Sequence, residues 1–304
     1  MSDLLCELAY VQNDTAMRGS LIHNVRDMND AQLYVVATPI GNLEDITLRA
    51  IEVLGSVEVI AAEDTRRTRI LTARYNIATP LVTLQEHNEE QKAPQLVDRL
   101  CRGESVALVS DAGTPLLSDP GFRLVRLAVE AGIEVVTVPG PSSITAALSI
   151  SGLATDRFTF EGFLPARSSA RMKRLTALAA EPRTMVFFES SHRISESLAD
   201  LAKALGDNRD VAVCREMTKQ FETVLRGSLA DVIGQVDSDS NQRKGEFVLV
   251  VSGHRSDDES KIPEALVLAQ ALLEYLPASQ AARVAARLHD VPRRELYAEL
   301  DKND

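Results

Sequence analysis

Tryptophan is absent from this chain of 304 residues, and aromatic residues make up only 4% of it. The core is therefore expected to be aliphatic. Cysteine is scarce as well, because Cys6, Cys101 and Cys214 are an odd number at wide spacing. That pattern fits neither a disulfide framework nor a zinc site, so we expect a reducing compartment and no bound metal.

Long apolar runs are also missing. None approaches the roughly 18 residues that a membrane-spanning helix needs, and Asp3, Glu7 and Asp14 interrupt the region where a signal peptide would lie. We therefore expect neither a membrane span nor a secretion signal. The formal net charge of −11 argues against non-specific coating of nucleic acid, although a local basic patch is compatible with it.

A regular alternation of short apolar runs and helical patterns begins at Gln32. Nearly all-apolar strands are typical of a parallel sheet that is covered on both faces, and strand–helix alternation favours right-handed crossovers. The predicted strands are Leu33–Ala37, Val57–Ala61, Val106–Val109 and Glu134–Val138, and the predicted helices are Thr47–Leu54, Arg66–Tyr75, Glu89–Cys101 and Asp119–Ala131.

The pattern changes after Gly152, where helices become fewer. A mixed sheet is predicted there, with strands at Phe158–Phe163, Thr184–Phe188, Val211–Cys214, Thr223–Gly227 and Phe247–Val251. The length suits two domains of ordinary size and a small third one. We expect an α/β fold with a flexible extension at 1–31, a parallel-sheet domain at 32–153, a mixed-sheet domain at 154–253, a polar linker at 254–263 and a helix–turn–helix-like segment at 264–304.

Four loops that leave predicted strands carry unusual residues. The loop Val109–Gly121 combines small residues, a proline, a turn-forming glycine and two aspartates. Open α/β sheets bind ligands at the carboxyl ends of their strands, and small residues let a ligand approach the backbone. The other loops are Ala37–Thr47, Ala61–Arg69 and Val138–Leu148. The first of these lacks a GxGxxG fingerprint, so a standard NAD site is not expected.

Helix capping is an alternative explanation for some of these loop residues. Asp64 and Ser142 each stand at the start of a predicted helix, where both are ordinary caps. Capping does not account for Arg66 and Arg67, because an arginine cluster suits a phosphate-bearing substrate. Ser142 and Ser143 also place hydroxyl groups at a helix N-terminus, which favours an electron-rich ligand group.

The second half of the chain repeats the pattern of polar residues after an apolar strand. The motif FFESSHR places Glu189 and Arg193 there, so a cleft between the two domains is expected. The stretch Gly162–Arg174 includes Lys173 and Arg174 among its basic residues and contains no acidic residue. A solvated helix face and a contact with a polyanion both stay open as explanations for this stretch.

The chain resembles the tetrapyrrole methylase superfamily, and within it the enzymes that methylate small-subunit ribosomal RNA, in five ordered motifs: LYVVATPIGNLEDIT, AAEDTRRT, LVSDAGTPLLSDPG, VPGPSSITAAL and FFESSHR. The resemblance covers residues 32–302. It implies two α/β domains with S-adenosylmethionine bound in a cleft between them. It also implies methyl transfer to the ribose 2′-hydroxyl of a decoding-site cytidine in 16S ribosomal RNA, a homodimer and a cytoplasmic location.

Carried onto this sequence, the resemblance implies roles for individual residues. Corrin and sirohaem relatives carry GxGPGD and GGDP in two loops where this chain has TPIGN and AGTP, so no role of the GGDP carboxylate is carried over. Phosphates of the substrate would be held by Arg66, Arg67, Lys173, Arg174 and Arg193. The cofactor would be bound by Pro39, Ile40, Gly41, Ala112, Gly113, Thr114, Pro115, Leu117, Ser142, Ser143 and Phe188.

Methyl transfer to a ribose needs an in-line hydroxyl about 3 Å from the methyl group, and placement supplies much of the rate. The hydroxyl loses its proton late, so a nearby base or acceptor helps. Candidates for this catalytic role are Glu63, Asp64, His87 and Glu189, of which we favour Glu189. His87 is one of five histidines, and a lone histidine is more often solvated or structural than catalytic.

Two other functions stay open. A tetrapyrrole C-methyltransferase of the same superfamily would bind a carboxylate-rich macrocycle, which arginines also suit. A non-catalytic ribosome-assembly factor would keep the fold and bind RNA without transferring a methyl group. The TPIGN and AGTP loops and the C-terminal helices favour the RNA enzyme. From Lys261 onward, however, six basic and seven acidic residues nearly balance, so the net charge of that segment gives little support.

Overall fold

A computed structural model of the protein describes residues 31–254, 262–289 and 291–301. The predicted extension at 1–31 falls almost entirely outside the described residues, as does most of the polar linker predicted at 254–263. The chain divides into two compact units. The first unit runs to Val35 and includes Ile51–Val109 and Pro120–Val138, and the second unit consists of Val36–Ala50, Ser110–Asp119 and the chain from Pro139 onward.

The first unit contains the predicted parallel sheet, in the strand order β3-β2-β4-β1-β5. The register pairs β2 with β3, β2 with β4, and β1 with β4, all in parallel. Every residue of β2 and β4 is buried, because these strands lie inside the sheet. The strands are β1 (Gln32–Val36), β2 (Val59–Ala62), β3 (Leu81–Thr83), β4 (Val106–Val109) and β5 (Glu134–Val138).

Four helices follow strands or loops of this sheet: α1 (Leu48–Ser56), α2 (Thr65–Arg74), α3 (Glu89–Cys101) and α4 (Phe122–Glu130). The start of α4 differs most from the expected helix, which began three residues earlier. Gly121 has a φ of 122° and cannot continue a helix, so α4 begins at Phe122. Glu89 compensates for the missing cap, because its carboxylate accepts backbone N–H groups from Gly121 and Arg123 at 3.1 and 2.8 Å.

The second unit contains the predicted mixed sheet, in the order β6-β7-β10-β8-β9. The β6–β7 pair is parallel, and the remaining pairs are antiparallel. Its strands are β6 (Phe158–Phe163), β7 (Thr184–Ser190), β8 (Asp210–Arg215), β9 (Thr223–Ser228) and β10 (Glu246–Val251). Its helices are α5 (Ser143–Ser151), α6 (Ser168–Ala177), α7 (Ile194–Leu205) and α8 (Leu229–Ser238).

Both faces of the mixed sheet are covered. Alternate residues such as Phe187 and Leu249 pack with residues of α6, α7 and α8. Their neighbours Val186 and Val250 pack on the other face, with residues of α5. Because successive side chains of a strand point to opposite faces, this arrangement requires the continuous apolar runs that the sequence shows.

Three helices close the chain: α9 (Ile262–Leu272), α10 (Ala278–His289) and α11 (Arg293–Asp301). They share a small core in which alanines predominate, with Ala265, Ala269, Ala282 and Ala285 fully buried. Small side chains let helices approach closely, so three short helices form one packed segment. In the described part of the chain, no helix has the length and apolarity of a membrane span.

Candidate functional site

Two loops of the second unit are joined backbone to backbone. The loop after β1 and the loop after β4 meet where Thr38 and Gly113 exchange two hydrogen bonds of 2.9 Å. The hydroxyl of Thr38 also donates to the carbonyl of Ser110 at 3.1 Å. Gly113 has a φ of 84°, a left-handed conformation that glycine adopts without strain. This pairing brings the TPIGN and AGTP motifs together.

The loop after β5 joins the same cluster, because Thr114 donates its hydroxyl hydrogen to the carbonyl of Pro141 at 3.2 Å. The loop after β4 is strained as well. Leu116 and Ser118 have φ values of 74° and 69°, which costs side-chain-bearing residues of order 1–3 kcal/mol each. Such strain clusters at ligand-binding sites, so the three loops together form the leading candidate site of the second unit.

A cavity of about 470 Å³ lies beside these loops. Helix α5 provides one wall of it, through side chains at spacings of three and four residues that share one helix face. The lining consists of Ile40, Asp45, Gly140, Pro141, Ser142, Thr145, Ala146, Ser149 and Thr218. Two of the predicted cofactor residues, Ile40 and Ser142, are among them.

A fourth loop, between β8 and β9, reaches the same place. Thr218 accepts a hydrogen bond from the backbone N–H of Asn42 at 3.0 Å, although the two residues are 176 positions apart. Gly41 permits this approach, because a Cβ atom there would lie 2.6 Å from Thr218 Oγ1 and 2.9 Å from the carbonyl oxygen of Met217. Thr218 itself has a φ of 62°, so this loop is also held in a strained conformation.

The cavity is wide open to solvent, and its lining combines apolar surface with hydrogen-bonding groups. Its volume lies within the range of typical small-molecule sites, about 300–1,000 Å³. Ile40, Pro141 and Ala146 offer apolar surface, while Ser142 stands at the N-terminus of α5, where backbone N–H groups attract a carboxylate. Asp45 supplies a carboxylate that can accept hydrogen bonds from hydroxyl or amino groups.

Several residues of the cavity were missed by the sequence analysis: Asp45, Thr145, Ser149 and Thr218. A helical periodicity starting at Ser142 would have identified the two on α5. Among the predicted cofactor residues, Leu117 is 39% exposed, and the ring of Phe188 packs edge-on against Phe160 and Phe163.

Glu189 is completely enclosed. Its carboxylate accepts hydrogen bonds from the hydroxyl of Ser197 at 2.6 Å and from the backbone N–H of Ser190 at 2.7 Å. Arg193 forms an ion pair with this carboxylate, with Nη2 at 2.8 Å from Oε1. None of the surface of the Glu189 side chain is exposed. Because its oxygens are engaged and shielded, this carboxylate has no access to a ribose hydroxyl in the described structure.

Asp64 acts as the cap of α2, accepting the backbone N–H of Arg66 at 2.9 Å. The guanidinium of Arg66 closes on the same carboxylate, with Nη2 at 2.7 Å from Oδ2. These hydrogen bonds from Arg66 lower the pKa of Asp64 to about 2. A carboxylate with so low a pKa is a weak base, so the geometry favours capping as the role of Asp64.

The Asp64 cap predicts a specific pH dependence. Because the pKa of Asp64 is lowered in the folded state, its charged form stabilises the protein above the unfolded pKa, and this contribution is lost as the pH falls from about 4 to about 2. We expect thermal unfolding of Asp64→Asn to vary less over this range than that of the wild type. In an Arg66→Gln background this pH dependence should be smaller but still present, because the backbone N–H of residue 66 still donates to the carboxylate. An effect that stays the same at pH 4 and at pH 2 would contradict the capping pair.

The other predicted residues of the first unit are exposed. His87 lies in the turn before α3, and Arg67 lies in the first turn of α2. His87 has no side-chain hydrogen bond among the described residues. In the second unit, Lys173 is exposed, and Arg174 forms an ion pair with Glu161.

The basic stretch on α6 is only partly a solvent-facing surface. Arg171 is 1% exposed, with its Nε at 2.7 Å from Asp200 and a second guanidinium nitrogen at 3.4 Å from Glu196. Its charge therefore serves the packing of α6 on α7 and does not face a polyanion. A count of basic residues in the sequence could not distinguish this arginine from its exposed neighbour Lys173.

Two family models match the chain. The family described as Tetrapyrrole (Corrin/Porphyrin) Methylases matches residues 32–233, and the RsmI C-terminal HTH domain matches residues 259–300. Ribosomal RNA small subunit methyltransferase I of Xylella fastidiosa (strain Temecula1) is 56% identical over 265 residues, 87% of this chain and 97% of that protein. Its Escherichia coli O157:H7 counterpart is 49% identical over 275 residues, 90% and 96% of the two chains.

A solved structure supports the fold. Uroporphyrin-III-C-methyltransferase from Thermus thermophilus matches with a TM-score of 0.54 and 22% sequence identity, over 73% of this chain and 94% of that one. At that identity the likeness concerns the fold alone.

Proposed function

The chain belongs to the tetrapyrrole methylase family and, within it, to the ribosomal RNA small subunit methyltransferase I enzymes, and from that membership we propose that it methylates small-subunit ribosomal RNA. The proposed methyl donor is S-adenosylmethionine, and the proposed acceptor is the ribose 2′-hydroxyl of a decoding-site cytidine in 16S ribosomal RNA. We further propose a cytoplasmic homodimer, as the family resemblance implies.

One observation carries the choice of RNA over a tetrapyrrole. Relatives that are 49–56% identical over about nine-tenths of the chain bear the name of an RNA methyltransferase, and the match extends into the C-terminal helices. The tetrapyrrole methyltransferase with a solved structure is 22% identical and leaves about a quarter of this chain uncovered. A likeness of fold alone is weak evidence that this chain shares the activity of that protein.

The joined loops support binding of S-adenosylmethionine. When bound, this cofactor supplies an electrophilic methyl group on a sulfonium centre. The loop residues Pro39–Gly41 and Ala112–Pro115 would hold it through their backbone, with Leu117 and Phe188 as apolar contacts. Ser142 and Ser143 would bind its polar groups at the start of α5. Fixed loops of this kind position a reactant before reaction, which lowers the entropic cost of the step.

We propose different roles for two acidic residues: Glu189 positions another side chain, and Asp45 accepts a hydrogen bond from the substrate. Glu189 orients Arg193, which also donates to the carbonyl of Leu164 at 2.9 Å and so ties the end of β7 to the chain after β6. Asp45 is the carboxylate on the described cavity wall. We assign to Asp45 the acceptance of a hydrogen bond from the hydroxyl that is methylated, because its carboxylate is accessible where that of Glu189 is not.

A transfer experiment tests this function. Purified protein is incubated with radiolabelled S-adenosylmethionine and either small ribosomal subunits or naked 16S ribosomal RNA from a strain that lacks the gene, and the label is mapped. We expect label on one ribose 2′-oxygen near the decoding site. Asp45→Asn should lower the rate of transfer strongly, by about 100-fold, while the neighbouring control Glu44→Gln should not.

Other results would change the proposal. Label on a base in place of a ribose would support RNA methylation and contradict the ribose 2′-oxygen as the acceptor. Cofactor binding without transfer to either RNA would overturn RNA methylation, and transfer to uroporphyrinogen or a precorrin would then support the tetrapyrrole enzyme. RNA binding without any methyl transfer would support the assembly factor.

A further inference from the structure

Helix α10 carries positive charge without any negative charge. Arg283 and Arg287 are its charged residues at neutral pH, and no aspartate or glutamate occurs from Ala278 to His289. The two arginines are four positions apart, so they share one helix face. Both are exposed, whereas the alanines of the inward face, such as Ala282 and Ala286, are buried in the three-helix core. The fold therefore turns both guanidinium groups to solvent.

These arginines differ from many others in the protein. Arg99, Arg123 and Arg126 each form an ion pair with a glutamate. Arg283 and Arg287 have no acidic partner among the described residues. An arginine that is not neutralised within its own fold keeps its donors for a ligand, and its planar fork suits phosphate oxygens.

Helix α11 begins with two more arginines, one of which reaches back to α10. Arg293 donates a hydrogen bond to the carbonyl of Ser279 at 3.4 Å. Ser279, Arg283 and Arg287 follow one another at four-residue spacing, so Arg293 extends their stripe. Arg293 and Arg294 occupy the first turn of α11, where the helix dipole favours acidic residues and disfavours basic ones. Local helix stability does not explain their position.

The nearly balanced charge of the C-terminal segment, counted from Lys261, conceals the positive charge of α10. The acidic residues of the segment, as far as the structure describes their side chains, lie outside α10, at Glu264, Glu274, Glu295 and Glu299. Tyr297 stands four positions after Arg293 on α11 and is 40% exposed. Arg293 and Tyr297 therefore share one face of α11, where they offer a phosphate-binding group and an aromatic ring on which an unpaired base can stack.

We infer that Arg283, Arg287, Arg293 and Arg294 form a surface, the arginine face, that binds the phosphate backbone of the RNA substrate. This inference rests on the proposed RNA methylation, since it names how that substrate is held. Phosphate contacts position a nucleic acid without reading its sequence. The arginine face therefore contributes affinity, while selection of the methylated nucleotide belongs to the cavity.

The test compares two double variants of equal charge change. Arg283→Gln/Arg287→Gln removes two guanidinium groups from the arginine face, and the control Arg123→Gln/Arg126→Gln removes two exposed arginines from α4. Binding to naked 16S ribosomal RNA is measured over a range of salt concentrations. Each lost contact with a single-stranded phosphate reduces the slope of log affinity against log salt by about 0.7. We expect a reduction of about 1.4 for the first variant and none for the control.

Kinetics separate this role from catalysis and from folding. The first variant should raise KM for RNA about tenfold and leave kcat and the affinity for S-adenosylmethionine unchanged. Arg283→Lys/Arg287→Lys should retain the salt slope, since the charges remain. If the wild type methylates RNA and the glutamine variant keeps the wild-type salt slope and KM, the arginine face does not bind RNA. The proposed function then stands. If the wild type binds RNA through these arginines but transfers no methyl group, the proposed function fails and the arginine face stands.

Discussion

Gly41→Ala is expected to weaken binding of S-adenosylmethionine at least about tenfold, which corresponds to ~1.4 kcal/mol. The added Cβ would lie 2.6 Å from Thr218 Oγ1 and 2.9 Å from the backbone oxygen of Met217, closer than atoms approach without a shift. The backbone oxygen cannot rotate away, so the loop after β1 must move from the loop after β8. That movement breaks the hydrogen bond between Asn42 and Thr218 and displaces two walls of the cavity.

Isothermal titration with S-adenosylmethionine measures this effect, and two variants control for it. Gly55→Ala lies in α1 with nothing within 4 Å of the new Cβ, so cofactor affinity should remain that of the wild type. Thr218→Gly removes one clashing atom and relieves a left-handed backbone. Because it also removes the acceptor of the Asn42 hydrogen bond, adding it to Gly41→Ala should recover no affinity if that hydrogen bond holds the two loops together. Wild-type affinity in Gly41→Ala alone would exclude this loop contact from the cofactor site.

Glu189→Ala is expected to destabilise the protein by about 3–5 kcal/mol, because it leaves a buried ion pair with one member. The side chain of Arg193 is 23% exposed, and its guanidinium would lose its carboxylate partner. The hydroxyl of Ser197, which is 0% exposed, would lose its acceptor. Glu189→Gln keeps the shape and one acceptor oxygen, so a smaller loss of about 1.5–3 kcal/mol is expected.

Denaturant unfolding of a double-mutant cycle measures this pair. Arg193→Met alone should also be strongly destabilising, because it leaves the Glu189 charge buried. Glu189→Gln/Arg193→Met should cost less than the two single changes added together. Additive costs would contradict the coupling of Glu189 and Arg193.

The same variant distinguishes a positioning residue from a base. If Glu189 positions Arg193, Glu189→Gln retains kcat within about tenfold at temperatures where it is folded, and the pH profile of kcat keeps its wild-type shape. If Glu189 accepts the proton, as the sequence analysis favoured, kcat collapses in a folded protein and the profile loses a titration. Such a collapse would restore that assignment.

Much of the fold was predictable because it follows from local patterns. Helix α3 occupies Glu89–Cys101, as its periodicity predicts, and β4 occupies Val106–Val109. The α/β class, with one parallel and one mixed sheet and a helical C-terminal segment, is confirmed. The start of α4 differs from the prediction for a local reason, since the predicted helix includes Gly121, whose φ is positive. The domain boundaries and the roles of the site residues stay predictions.

The site was less predictable, because it depends on contacts between distant parts of the chain. The sequence indicated which loops carry unusual residues but not that Thr38 pairs with Gly113 or that Thr218 reaches Asn42. It favoured Glu189 as the base or acceptor, but it could not show that the fold encloses this side chain. Burial is a property of the whole packed unit, so a motif cannot report it.

Amino-acid order thus specified the strands, the helices and the chemical kinds of side chain at the strand ends, since periodicity and turn chemistry act between near neighbours. Long-range packing determined which charged side chains are buried and paired inside the protein and which face solvent. Arg171 and Arg283 both belong to basic, acid-free stretches, yet the first is buried against Asp200 and the second is exposed on α10. The free energy of a charge depends on its surroundings in space, and those exist only in the folded chain.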